Sequence, residues 1–170
     1  MIPPPPDMWR IELLHPPLVH FPIAFLLLGT ALEIGALVRA AERRPALRAT
    51  ARLLFVVGAI GAWLAVWSGG EAEHVVNRVI CDPTVTEEHE TWGLAVAWIF
   101  SGVALATIVR TRLVAQRLLT ILIALAAIAG SLALTYTGHL GATLVYQQGA
   151  GVYRPTPTCA EFADEPTPIP

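Results

Sequence analysis

Residues 18–38 read LVHFPIAFLLLGTALEIGALV, an apolar run broken only by Glu33. A helix rises 1.5 Å per residue, so about 20 apolar residues cross the roughly 30 Å of bilayer hydrocarbon. This run meets that length. Similar runs occupy residues 53–68, 92–109 and 118–136. With their flanks they predict spans at about 18–38, 51–70, 90–110 and 117–139. Composition agrees, with 55% hydrophobic against 14% charged residues in a chain of 170, where soluble domains carry about 25% charged. Disorder is excluded for most of the chain, because too much apolar surface would stay in water. A soluble bundle would need polar outer faces, and these runs have almost none. The sequence therefore predicts an all-α, four-transmembrane-helix bundle running up-down-up-down over residues 17–153.

Arginine placement sets the expected orientation. All basic residues are arginine, and the net charge is −2, which gives no nucleic-acid footprint. Arg39, Arg43, Arg44, Arg48 and Arg52 lie between spans one and two, and Arg110, Arg112 and Arg117 between spans three and four. Basic connections stay in the cytoplasm, so both termini are expected on the outer, periplasmic side of a bacterial inner membrane. The start shows neither a basic n-region nor a small-residue cleavage site after the first run, so the first span is expected to remain. Residues 1–16, with the Pro3–Pro6 run, are expected to be an extended external segment, and residues 154–170 a proline-rich external tail. Cys81 and Cys159 both fall on the outer side, where an oxidising compartment favours a disulfide. Glu33, near the inner end of span one, is expected to snorkel or to pair with an arginine of the first basic connection.

Under that topology every histidine lies on the outer side. His15 and His20 precede or open span one, His74 follows span two, His89 opens span three and His139 closes span four. The bland explanation is that imidazole tolerates interfaces. The sharper one is a cluster, because neutral imidazole ligates metals and haem iron. Ala24 lies four residues after His20 and Gly93 four after His89, each sharing its histidine's face. Gly69, Gly70, Gly138 and Gly141 thin the ends of spans two and four. Trp63, Trp67, Trp92 and Tyr136 would wall a flat cofactor, or else form the interfacial aromatic belt. The expected ligands of one haem b are two of His89, His139, His20 and His74, with Gly93, Ala24, Trp92 and Gly138 around it. His15, before two prolines, reads as a loop residue.

Other chemistries find little support. Glu71-x-x-His74 has the i, i+3 spacing of di-iron bundles, but the second copy those sites need is missing. Glu87, Glu88 and Glu90 read as a solvated acidic loop. There is no phosphate-binding glycine loop, no Gly-x-Ser-x-Gly elbow and no Cys-x-x-Cys-His for covalent haem. No nucleophile with its base is visible.

The segments His15-Pro16-x-x-Val19-His20-Phe21-Pro22-Ile23-Ala24, His89-x-x-Trp92-Gly93 and Thr137-Gly138-His139-Leu140-Gly141-Ala142-x-Leu144-Val145-Tyr146-x-x-Gly149-x-Gly151-Val152 resemble the DUF2231 family of bacterial membrane proteins over about residues 12–153. The resemblance implies a small four-helix protein. Related domains occur beside cytochrome c domains, which implies a redox setting. Two classes of function follow. One is a haem-b electron-transfer subunit of a respiratory or photosynthetic-type membrane complex, in contact with a periplasmic cytochrome c or a quinone. The other is a cofactor-free anchoring subunit, with an outer-face copper or zinc binder as a third reading. A reduced-minus-oxidised spectrum discriminates them.

Overall fold

The computed structural model describes residues 9–110 and 116–152. A 3-10 turn at Ile11–Leu13 leads into α1 (His15–Val38), and a second at Ala41–Arg43 leads into α2 (Arg44–Val76). Then come α3 (Thr84–Arg110) and α4 (Gln116–Tyr146). No strand occurs among the described residues. All four helices are long and apolar enough to cross a membrane. Their 24 to 33 residues give lengths of roughly 36–50 Å, so their ends project past the hydrocarbon.

The helices outrun the expected spans, chiefly at the end that carries the histidines. α1 begins at His15 rather than at residue 18. Pro16 and Pro17 fall in its first turn, where a backbone N–H has no intrahelical partner to lose. α2 runs on to Val76, so His74 and the glutamates beside it are helical. α3 begins at Thr84, which puts Glu87, Glu88 and Glu90 in its first turns and not in a loop. At that start Asp82 accepts the Thr84 backbone N–H at 3.0 Å and its hydroxyl at 2.6 Å. Those bonds, the hydroxyl first, hold the Asp82 carboxyl below the usual carboxylate range. Gly149, at φ +73°, lies just past the end of α4, a conformation that costs glycine no Cβ clash.

α1 packs on α2, α2 on α3 and α3 on α4, with a lighter α1–α4 contact. α1 and α3 are thus diagonal. The centre is built from small residues, among them Ala51, Ala59, Ala62, Ala97, Ala104 and Ala127, around stacked Phe55 and Phe100, with ring centroids 6.0 Å apart. The large apolar side chains point outward instead: Phe21, Leu53, Trp98, Leu105 and Leu132 are each more than 60% exposed. A water-soluble bundle cannot leave that surface bare, whereas lipid accepts it and association then depends on close packing. At Gly58 a Cβ would meet the Leu26 side chain at 2.5 Å, and at Gly130 it would meet Ile99 and Phe100 at 2.9 Å. Pro22 stays within α1 and packs against Gly61 of α2.

Buried polar groups cross-link the helices. Trp63 Nε1 donates to Ser101 Oγ at 3.0 Å between α2 and α3, and Ser131 Oγ donates to Thr30 Oγ1 at 3.1 Å between α4 and α1. Glu33, fully buried, does not snorkel, and it forms no salt bridge with the first basic connection, although Arg48 there lies within its field. Its carboxylate takes both terminal nitrogens of Arg110, on the last residue of α3. The reason is reach: Glu33 faces the bundle interior, and the diagonal helix ends there. Cys81 is exposed, and Cys159 lies outside the described residues, as does the expected bridge between them.

A candidate histidine site at one end of the bundle

His15 and His89 meet across the α1–α3 diagonal. Their ring centroids are 6.1 Å apart and the ring planes are almost perpendicular, at 86°. Both side chains are half-buried. All four helices contribute. His15 opens α1, and its Nδ1 lies 3.1 Å from Ser68 Oγ on α2. Ser68, itself buried, gives its hydroxyl proton to the Ala65 carbonyl at 3.1 Å, so it meets His15 as an acceptor. In the second turn of α3, His89 Nδ1 lies 3.0 Å from the Thr137 carbonyl of α4. A carbonyl only accepts, so His89 donates from Nδ1.

The same tautomer results at both residues: proton on Nδ1, lone pair on Nε2. Anchoring of one ring nitrogen to a carbonyl or hydroxyl is how ligating histidines are usually oriented. Two glycines make room for these rings. A Cβ at Gly69 of α2 would stand 3.2 Å from His15 Cε1, and one at Gly141 of α4 would stand 3.2 Å from His89 Cε1. One turn before His89, the buried Thr86 hydroxyl has no hydrogen-bond partner.

The other expected ligands stand outside this pair. His20 is exposed on α1 and donates from Nδ1 to the Pro16 carbonyl at 2.6 Å. His74 is exposed in the last turn of α2. His139 is exposed on α4, its ring stacked on Tyr136 with centroids 6.5 Å apart. Of the surrounding residues, Ala24 is exposed, and a Cβ at Gly93 or Gly138 would meet open space. Trp92 sits edge-on to Tyr136 at 5.2 Å, and the Tyr136 hydroxyl donates to Glu88 at 2.7 Å. The sequence reading did not select His15. The signal was present in Pro16-Pro17, which marks a first helical turn as readily as a loop.

Fold and site together define a four-span helical membrane protein with two anchored imidazoles at one end of the bundle. The chain belongs to the family described as predicted membrane protein (DUF2231), whose model matches residues 12–154. No curated protein and no solved structure matches it.

Proposed function

We propose that this protein is a haem-b electron-transfer subunit of a bacterial cytoplasmic membrane complex, in which His15 and His89 would hold the haem. The observation that carries this reading is the diagonal pair of imidazoles with ring centroids 6.1 Å apart, each held at Nδ1 by a neighbouring helix. An imidazole nitrogen bonds a first-row metal at about 2.0–2.1 Å, so two nitrogens on opposite sides of one metal stand about 4 Å apart. Each ring centre lies about 1 Å further back, so two imidazoles that shared one metal would have centroids about 6 Å apart. Among the described residues no group of three or more His, Cys, Asp or Glu converges on one point, whereas structural zinc takes four ligands. Two histidines, His15 and His89, would suffice to hold a haem, which brings its remaining donors with it.

Bound haem supplies a reversible one-electron couple. The chain's own residues do the rest. Ser68 and Thr137 fix both tautomers, and glycines 69 and 141 let α2 and α4 close on the rings and exclude water. With the arginine connections in the cytoplasm, N-out and C-out, this end of the bundle would face the periplasm, where a cytochrome c or a quinone would exchange electrons. A dithionite-reduced minus oxidised spectrum of purified protein, made with ample haem supply, tests the reading. Sharp visible bands and a b-type pyridine haemochrome are expected. Their absence leaves a cofactor-free anchoring subunit.

A further inference from the structure

The opposite end of the bundle holds a cavity of about 460 Å³ between α2 and α3, within the range of small-molecule sites, about 300–1,000 Å³. Its buried floor is Thr107 and Arg110, and its wall carries Arg44, Arg48 and Arg52, one turn apart along α2. Arg110 is already neutralised by Glu33. Arg44, Arg48 and Arg52 form no salt bridge among the described residues, and Arg48 shares the field of Glu33 with Arg110 only from beyond contact distance. Arg44 spends its Nε on the Arg39 carbonyl at 3.0 Å. Arg48 Nε is buried and has no hydrogen-bond partner at all. A buried donor left without a partner is costly, and here it lines a space large enough for an acceptor. The first turn of α2 forms part of the same wall, adding the positive end of a helix dipole.

We infer that this cavity is an anion site for a phosphate ester, filled in the membrane by the headgroup of an anionic phospholipid. Guanidinium groups match phosphate oxygens in bidentate geometry, and basic pockets between transmembrane helices on the cytoplasmic side take such headgroups. Position favours lipid over a free anion. The cavity lies at the start of the apolar run of α2, and Leu53, the next residue after Arg52, is 62% exposed, so acyl chains would have an apolar path beside the headgroup.

The test is native mass spectrometry of the full chain in detergent with equal phosphatidylglycerol and phosphatidylcholine. The wild type should retain the anionic lipid about tenfold over the zwitterionic one, the ratio expected from one charge-assisted contact set. Arg48→Gln should bring that ratio close to one, and Arg52→Gln should lower it severalfold if the first variant fails to fold. Adding inorganic phosphate, against chloride at equal ionic strength, separates the sources. Retained lipid assigns the site to the headgroup, and displacement assigns it to free phosphate, the same chemistry from another source. Equal retention of both lipids by the wild type, or a preference unchanged in both variants, overturns the site.

Discussion

The α1–α3 diagonal is bridged by a polar pair at each end, and the two pairs are opposites. At one end Glu33 and Arg110 close on each other, buried and complementary, with the carboxylate taking both terminal nitrogens of the guanidinium. At the other, His15 and His89 bring like groups together, two imidazoles with ring centroids 6.1 Å apart, each held at Nδ1 by a neighbouring helix. Along α1 the two ends are separated by about 27 Å at 1.5 Å per residue, close to the hydrocarbon thickness. A closed pair completes itself and holds helices together. An open pair leaves room for a third party, which in the proposed reading is the iron of a haem.

The largest test of this contrast is at the closed end. Glu33→Ala leaves Arg110 buried and uncompensated, which should cost about 3–5 kcal/mol, read as a lower unfolding temperature in detergent. The double change Glu33→Leu with Arg110→Met should recover most of that loss, because apolar replacement of a buried pair is often neutral. Haem content of whatever folds should be unchanged, since the other end keeps its own anchors.

At the open end, Ser68→Ala removes the acceptor behind His15 and leaves the ligand in place. Loss of such an outer partner typically weakens metal binding by about 10–100-fold, so haem retention on dilution should fall while helix content holds. Packing gives the next effect. Gly130→Val must push into Ile99 and Phe100 and should destabilise by about 1–3 kcal/mol, whereas Gly93→Ala meets open space and should leave stability unchanged. The smallest effect belongs to Asp82, outside the spans. Its carboxyl lies below its ordinary value, so its support of the α3 start is fully present above that value and fades as pH falls through the lower native one. Asp82→Asn should therefore cost a little stability at neutral pH, a difference that vanishes in acid, with no change at the histidine pair.

The spans were legible because lipid makes a simple demand, a long apolar helix with its backbone bonds satisfied internally. Helix rotation was not. It follows from where Gly58 admits Leu26 and Gly130 admits Phe100, contacts between residues far apart in sequence. That is why the sequence ranks His89 with His139 and reads His15 as a loop residue, although His15 is the imidazole beside His89, and why it seeks a nearby arginine for Glu33 when the ion-pair partner stands 77 residues away. Hydropathy carries no record of which residues oppose each other across a diagonal. The prolines after His15 were ambiguous for a local reason, since the same ring that breaks a helix interior begins a helix well.

The central claim is that the open pair is the ligand pair, and haem stoichiometry across the five histidine variants tests it most directly. Each of His15→Ala, His20→Ala, His74→Ala, His89→Ala and His139→Ala is purified with ample haem supply, and pyridine haemochrome is measured against protein. One haem per chain is expected in the wild type and in the variants at positions 20, 74 and 139, with loss at 15 and at 89. Full haem content in both the His15 and the His89 variants would contradict the account.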